Sequence, residues 1–284
     1  MDTKRTDHRS LAGLILFSLV FLSGFANKGN VGLYFNISGL LIVIGGVMGA
    51  ILICYPLDRL LIVYKVLRQS FHRPQKDAAD IVEILVDLSV KSRFKGLLSL
   101  QQDEEETSLM ALRNALGYLV DGHNEQQLRD ILGTEMYFFR MRRDDSERIL
   151  RTMADLFPSF GIIGSVVGLI GMIAGVGDTA VILSTVPIAL TSTLYGIIFA
   201  NFIFTPFAVR LHDRTNQELL LQKIIMEGVI AIGSEMNPRL LEIKLKSFLT
   251  PSSRAGRLVS LQKIQQRFKI KPENEPSAPE PVSP

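Results

Sequence analysis

Residues 161–175 read GIIGSVVGLIGMIAG, an uncharged run whose glycines are spaced three, four, three and four residues apart. They are Gly161, Gly164, Gly168, Gly171 and Gly175. Glycine costs a helix in water up to about 1 kcal/mol relative to alanine. In lipid, however, helices associate by close packing, and small residues allow their backbones to approach. The run therefore predicts a transmembrane helix with one face against which another helix packs.

Four apolar blocks dominate the 284-residue chain, of which 47% is hydrophobic. A helix needs roughly 17–25 apolar residues to cross the hydrocarbon core. The blocks at residues 10–26, 31–56, 156–176 and 181–210 meet this requirement. They predict an all-α membrane protein with four transmembrane helices and a helical cytoplasmic insert between the second and third. A cleaved secretory signal is the alternative for the first block, but another apolar block follows within a few residues.

Lysine and arginine lie mainly on one side of these predicted spans. They precede the first and third spans and follow the second and fourth, whereas the loop at 27–30 holds one lysine and the link at 175–179 none. The positive-inside rule then places both termini and the large middle segment in the cytoplasm. The net charge of +3 follows from this bias, so a nucleic-acid partner is not expected.

The predicted organisation has five parts. Residues 1–57 form the N-terminal tip and the first two spans, 58–153 a helical cytoplasmic region, 154–210 the last two spans, 211–250 cytoplasmic helices, and 251–284 a disordered, proline-rich tail. In the insert, the three/four spacing of Ile81, Ile84, Leu85 and Leu88 predicts one buried stripe. The segments at 219–232 and 238–249 read as amphipathic helices.

Three local patterns predict helix boundaries or packing. Gly122 ends one helix, and Asn124 caps the next together with Gln127. Asn237 is an N-cap with Pro238 at the first helical position. The single cysteine, Cys54, has no partner for an internal disulfide and is predicted to be a packing residue.

The fourth block presents its own small-residue face, formed by Ala189, Thr193, Gly196 and Ala200. Two interpretations stay open: packing between the third and fourth spans, or a face that lines either an interface with a foreign helix or a narrow path. The hydroxyls of Ser165 and Thr193 also have two possible roles. Such groups either bond a carbonyl of their own helix or solvate a passing cation. Pro187 and Pro206 are predicted to break the helix.

No Asp, Glu, His or Lys lies within the four blocks, and the one Arg ends the last. Ion relays ordinarily need an ionisable group in the membrane. Either the chain conducts nothing, or a partner helix supplies a carboxylate. The four histidines have no metal-ligand spacing, and no catalytic constellation or dinucleotide loop is present, so neither an enzyme, a metal nor a cofactor is expected.

Five stretches together resemble the MotA/PomA family, the A subunits of bacterial flagellar stators, over roughly residues 10–250. They are LLIVIGG (40–46), LVDGHNEQQLRDIL (119–132), FGIIGSVVGLIGM (160–172), ALTSTLYGIIFANFIFTPFA (189–208) and IIMEGVIAIGSEMNPRLLEIKLKSFL (224–249). The resemblance implies a pentamer of A subunits in the bacterial inner membrane around two helices of a MotB/PomB-like B subunit. The B helix would supply the ion-binding Asp, and the cytoplasmic insert would push the rotor protein FliG.

Residue by residue, the resemblance puts Thr193, Ser165 and Pro187 on the ion pathway and Pro206 at the inner end of the fourth span. Ser165 lies where sodium-type relatives tend to have Thr and many proton-type relatives Ala, so the coupling ion stays open. The small residues are assigned to packing against the partner helix: Gly161, Gly164, Gly168, Gly171, Ala189, Gly196 and Ala200.

For rotor contact, Arg93 matches the family's rotor-facing base and Lys95 lies beside it. The acid expected eight residues later is Gln101, so Asp103 or Glu104 in the following acidic run is expected to replace it, unless that run is a solvated turn. Two other functions remain: an ExbB/TolQ-like energiser of outer-membrane processes, and a membrane scaffold that conducts nothing.

Overall fold

The computed structural model describes residue 23 and residues 34–72, 77–107 and 109–251, and all regular structure within them is helical. In chain order the helices are α1 (Ile37–Cys54), α2 (Leu57–His72), α3 (Ala78–Lys95), a 3₁₀ turn (Leu97–Leu100), α4 (Gln101–Glu106), α5 (Met110–Val120), α6 (Glu125–Ala174), α7 (Thr179–Ile198), a π-helical segment (Phe199–Phe204), α8 (Thr205–Gly233) and α9 (Pro238–Lys246). Apart from Ser23 and Pro251, the predicted first span and the predicted disordered tail lie outside the described residues.

Three stretches of the described chain are long and apolar enough to cross a membrane. They are Ile37–Cys54, Glu125–Ala174 and Thr179–Gly233, with mean hydropathies of 2.6, 2.0 and 1.8 over their most apolar windows. They contain the second, third and fourth predicted spans. The third span belongs to the same helix as the charged residues before it.

The described residues of 1–65 and 146–209 form one compact unit. In it, Asn36 is the N-cap of α1, and its side-chain oxygen accepts the Gly39 N–H at 2.9 Å. Every fourth residue of α1 is buried: Gly39, Val43, Val47 and Ile51. Phe157 of α6 joins this core and stacks between Phe199 and Phe204, with ring centroids 5.1 and 4.8 Å away. A stripe of α1 therefore packs against the aromatic end of the α6/α7 pair.

Residues 66–145 and the described part of 210–284 form the second unit. Its core takes one face of α3, one face of α5, the start of α6, and parts of α8 and α9, with Leu85, Leu116, Leu128, Ile224 and Leu241 almost fully buried. The prediction of a buried stripe on α3 is confirmed for Ile81, Leu85 and Leu88.

Ile84 was predicted to belong to that stripe, and this is wrong, because its side chain is 36% exposed. The buried face is instead completed by Val82, Val86 and Val90. The helix at 219–232 also departs from its amphipathic prediction, because every residue from 224 to 232 is buried. This part of α8 is enclosed on all sides within the second unit.

The predicted helix boundaries are confirmed. Gly122 adopts a φ of +83°, which a residue with a side chain rarely tolerates, and it separates α5 from α6. The Asn124 side chain accepts the Gln127 N–H at 2.9 Å, and the Gln127 side chain accepts the Asn124 N–H at 3.0 Å. Asn237 caps α9, with Pro238 as its first residue. These boundaries follow from local sequence alone.

Pro187 does not break its helix: α7 continues through it. The irregularity lies further on, in the π-helical Phe199–Phe204, where the Thr205 N–H donates to the Ala200 carbonyl five residues back. Pro206 follows directly and has no N–H to donate, so the wider turn falls where the normal ladder is interrupted. Cys54 also differs from its packing prediction, because its side chain is exposed among the described residues.

Candidate functional site: a hydroxyl pair where two apolar helices cross

The glycine face of α6 lies directly against α7. A methyl group placed on Gly168 would meet the Ala189 backbone nitrogen at 2.6 Å, and one on Gly164 would meet the Ser192 side chain at 2.6 Å. In the reverse direction, a methyl group on Gly196 would meet the Phe157 carbonyl oxygen at 2.5 Å. The two helices are therefore in backbone contact, and side chains larger than hydrogen do not fit at these positions.

This contact supports the first interpretation of the small residues, in which the third and fourth spans pack against each other. Their neighbours belong to the same chain: Gly161, Gly164, Gly168 and Gly171 face α7, Ala189 and Gly196 face α6, and Ala200 is buried beside Phe157. At its closest positions the face is covered by α7 of the same chain. Assignment of these residues to packing against a partner helix stays a prediction.

Ser165 and Thr193 meet at this crossing. Their hydroxyl oxygens lie 2.5 Å apart, and the Ser165 hydroxyl also donates to the Ala189 carbonyl oxygen at 2.5 Å. Because each hydroxyl has one proton, Thr193 is then the donor to Ser165. The Gly161 carbonyl oxygen lies 3.4 Å from the Thr193 hydroxyl. Two hydroxyl and two carbonyl oxygens are thus gathered between the two helices, and both hydroxyl side chains are only half-buried.

Neighbouring hydroxyls on α7 behave differently. Thr191 donates to the Pro187 carbonyl at 2.7 Å, Ser192 to the Ile188 carbonyl at 2.7 Å, and Thr185 to the Val181 carbonyl at 2.8 Å. Each bonds a carbonyl four residues back in its own helix, as membrane hydroxyls usually do. Pro187 enters this arrangement as the acceptor for Thr191.

A third helix, α1, packs against the same crossing. This contact was not predicted from the sequence. A methyl group on Gly39 of α1 would lie 2.9 Å from the Ser192 hydroxyl oxygen, and one on Gly164 would lie 3.4 Å from Ile42. The Tyr195 hydroxyl accepts the Asn36 N–H at 2.6 Å and donates to the Tyr34 carbonyl at 2.7 Å. Glycines in the second apolar block were the available signal, but their partner helix is not encoded locally.

The apolar parts of α1, α6 and α7 contain no acidic side chain between residues 37 and 54, 156 and 174, or 179 and 198. No group of His, Cys, Asp or Glu suited to a metal ion occurs among the described residues. The hydroxyl pair therefore offers polar oxygens to a cation but no charge to balance it.

The residues predicted to contact a rotor lie in the second unit. Arg93 and Lys95 are exposed in the last turn of α3, beside Phe94, which is 48% exposed. Asp103 instead forms an ion pair with Lys91 at 2.5 Å, and the Glu104 carboxylate lies over Gly117. The structure thus leaves both bases exposed, but it uses Asp103 and Glu104 within the unit itself.

An open groove is lined by Lys95 but not by Arg93. Its lining includes both charged and apolar side chains: Lys91, Lys95, Leu98, Ser99, Gln101, Gln102 and Glu105. Glu105 is exposed, and Leu98 is 74% exposed. Gln101, which replaces the acid that the resemblance implies, is therefore on the same groove as an acid four residues later.

A second charged cluster, centred on Glu227 of α8, was not predicted. Glu227 is only 7% exposed. Its carboxylate oxygens lie 2.8 Å from the Lys244 ammonium, 3.1 Å from the Lys223 ammonium and 3.2 Å from the Arg129 guanidinium. Burial acts to raise the pKa of Glu227, but hydrogen bonds from Lys244 and Lys223 outweigh it and lower that pKa from 4.5 to about 2. One carboxylate thus ties α6 and α9 to α8.

We expect Glu227→Gln to destabilise the protein by about 1–3 kcal/mol at neutral pH, because three cations lose their shared counter-charge. A carboxyl whose folded pKa is depressed contributes stability that is present above its unfolded pKa and is lost as pH falls through the folded pKa. The difference between variant and parent should therefore be constant above pH 4.5 and shrink from there toward pH 2. Thermal unfolding of the detergent-solubilised protein, followed by circular dichroism, measures it.

The matched control is Glu125→Gln. Glu125 bonds Arg129 too, but its side chain is 58% exposed, so its loss should cost under about 1 kcal/mol. Equal destabilisation by both variants would contradict the special place of Glu227.

The fold and the hydroxyl pair define a helical membrane protein in which a polar contact joins two apolar spans. The model of the MotA/TolQ/ExbB proton channel family matches residues 100–223. Motility protein A of Borreliella burgdorferi is 32% identical over 243 residues, covering 86% of this chain and 92% of the relative. Chemotaxis protein PomA of Vibrio alginolyticus is 29% identical, covering 88% and 98%.

Among solved structures, the flagellar MotAB stator complex from Bacillus subtilis contains a chain that matches with a TM-score of 0.79 and 26% identity, covering 86% of this chain and 96% of that one. The protein belongs to the MotA/PomA family, the A subunits of flagellar motor stators. The resemblance inferred from the five sequence stretches is confirmed.

Proposed function

We propose that this chain forms, together with a B subunit, a cation channel that converts ion flow into torque on the flagellar rotor. The observation that carries this function is the contact of Ser165 with Thr193 across α6 and α7. It brings hydroxyl oxygens together at the crossing of two helices whose apolar parts, residues 156–174 and 179–198, hold no acidic side chain. Among the relatives, the Bacillus subtilis match is a stator complex of MotA with MotB.

The absence of an acidic side chain from the apolar parts of α1, α6 and α7 indicates what a partner would have to supply. A cation that passes the hydroxyl pair needs a carboxylate to balance it inside the membrane. We propose that a MotB/PomB-like B subunit contributes that Asp on its own helix, beside the half-buried Ser165 and Thr193. Each charge that crosses 100 mV releases about 2.3 kcal/mol, so a cycle that moves several ions is needed for useful work.

The proposed topology has four spans in the bacterial inner membrane, surrounded by lipid, with both termini and residues 58–153 in the cytoplasm. The three apolar stretches of the described chain and the flanking lysines and arginines support this arrangement. Residues 1–57 and 154–210 would hold the spans, 211–250 the cytoplasmic helices, and 251–284 a disordered tail. We propose a pentamer of this chain as the assembly around the B helices.

For the rotor, we propose that Arg93 and Lys95 contact FliG. Both are exposed, and Lys95 borders the groove that contains Glu105. Because Asp103 is paired with Lys91 and Glu104 packs over Gly117, Glu105 takes the place of the family acid that is absent at Gln101. The rotor surface would then meet a base and an acid on the two sides of one groove.

Arg93→Glu is expected to reduce torque strongly at high load while leaving the protein folded, because it reverses one exposed charge of this surface. Arg93 lies in the last helical turn, so the change should cost α3 less than about 1 kcal/mol of helix stability. Rotation of tethered cells measures torque, and Arg239→Glu, an exposed charge reversal on α9, is the control. Parental torque at every load would contradict the assignment of Arg93.

The function itself is tested by motor speed in cells that express this chain with its B subunit as the sole stator. Speed is followed while external sodium is varied, with and without a protonophore. We expect rotation to stop when one of the two gradients is dissipated. Rotation that persists without both gradients would overturn the proposal, and so would the absence of rotation in cells that assemble the complex normally.

A further inference from the structure

Tyr195, in the last turn of α7, makes a contact that differs from those of the other α7 hydroxyls. Its hydroxyl accepts the Asn36 N–H at 2.6 Å and donates to the Tyr34 carbonyl at 2.7 Å. Both backbone groups lie just before α1, and Asn36 is the N-cap of that helix. In a membrane, unpaired backbone groups are costly, so one side-chain hydroxyl satisfies a donor and an acceptor at once.

The segment that Tyr195 fixes is the beginning of α1, which touches the hydroxyl crossing. Gly39 lies over Ser192 and Thr191 of α7, and Ile42 lies over Gly164 of α6. Ser192 directly precedes Thr193, and Gly164 directly precedes Ser165. A shift of α1 would therefore be transmitted to both helices at the residues next to the pair.

The opposite end of α1 has its own tyrosine hydroxyl. Tyr55 follows the last helical residue, and its hydroxyl lies 3.2 Å from that of Thr152 in α6. Thr152 is 13 positions before Ser165 in the chain, far from the crossing. The two tyrosines thus fix the two ends of one helix, but only the contact of Tyr195 lies beside the hydroxyl pair.

From this geometry we infer that Tyr195 is a positioning residue of the ion pathway: through Tyr34 and Asn36 it seats α1 against Ser192 and Gly164, and it thereby sets the spacing of Ser165 and Thr193. The inference rests on the proposed function, because it assigns to Tyr195 a role in the ion affinity of that site. Tyr195 itself does not touch the ion.

The test compares Tyr195→Phe with the parent in cells whose only stator contains this chain. Speed increments from single stator units are measured against the concentration of the coupling ion. The variant loses the two hydrogen bonds that join Tyr195 to the residues before α1. We therefore expect the half-saturating ion concentration to rise about three- to tenfold, with maximal speed changed less than about twofold. A merely structural defect would lower the number of working units without moving half-saturation.

Two further variants keep the test decisive. Gly39→Ala adds a methyl group 2.9 Å from the Ser192 hydroxyl oxygen, so it should raise half-saturation in the same direction even if Tyr195→Phe assembles poorly. Tyr55→Phe deletes a tyrosine hydroxyl at the other end of α1 and should leave half-saturation unchanged.

The outcomes separate this inference from the proposed function. If Thr193→Ala impairs rotation while Tyr195→Phe and Gly39→Ala keep parental half-saturation, the positioning role is overturned and the channel function stands. An equal shift in Tyr55→Phe would also overturn it. If rotation ignores both ion gradients in the parent, the proposed function itself fails.

Discussion

Gly168→Val is expected to abolish motor function and to deplete the protein from the membrane. Even a single methyl group at this position would lie 2.6 Å from the Ala189 backbone nitrogen, and a backbone atom has no rotamer by which to move away. Overpacking a core typically costs about 1–3 kcal/mol, and a collision with backbone belongs at or above the upper end of that range. The helices α6 and α7 would have to separate, and the Ser165–Thr193 contact would be lost with them.

The amount of protein in membranes, followed by immunoblot, and swimming in soft agar measure these effects. Gly45→Val is the matched control, because it makes the same change in an apolar helix where nothing lies within 4 Å of the added carbon. Near-parental swimming by Gly168→Val would mean that the two helices do not cross as closely as described.

Thr193→Ala is expected to lower ion-driven rotation about tenfold or more, because in the proposed pathway the ion would lose a hydroxyl ligand worth about 1.4 kcal/mol. Its side chain is half-buried, and the close contacts of the small residues between α6 and α7 remain in the variant, so the membrane level of the protein should not change. Thr193→Ser keeps the hydroxyl and should retain most of the rotation. The measurement is motor speed in single tethered cells.

Thr185→Ala provides the comparison for Thr193. The Thr185 hydroxyl donates to the Val181 carbonyl in its own helix, so its removal should leave rotation near the parental level. Equal losses in Thr185→Ala and Thr193→Ala would assign the defect to packing of α7 and not to the ion pathway.

Local chemistry made part of this structure predictable. The reciprocal hydrogen bonds of Asn124 and Gln127, and the N-cap at Asn237, involve residues three or fewer positions apart, so the sequence contains both partners in one window. The glycine spacing in the third span also predicted a close helix contact. It did not reveal which helix makes that contact, because spacing describes one surface and not its complement.

The errors and omissions have the same origin. Ile84 has the same spacing as its buried neighbours, but the position of α8 selects the adjacent face of α3. The cluster around Glu227 joins Arg129, Lys223 and Lys244, two of which are distant in sequence, so no motif announces it. Tyr195 likewise meets backbone atoms about 160 positions away. Such contacts arise only when the helices are assembled.

The wide turn at Phe199–Phe204 has a practical consequence for experiments on this helix. An inserted π turn advances the angular phase by about one residue, or roughly 100°. A helical-wheel projection that continues from Thr193 to Pro206 at about 100° per residue would therefore assign the later residues to the wrong face of the helix. Cysteine scanning or spectroscopic labelling along this stretch needs two separate wheels, one for residues 179–198 and another beginning at 205. Deleting one residue between 199 and 204 would remove the extra residue of the π turn, and a single helical-wheel projection would then describe the whole stretch.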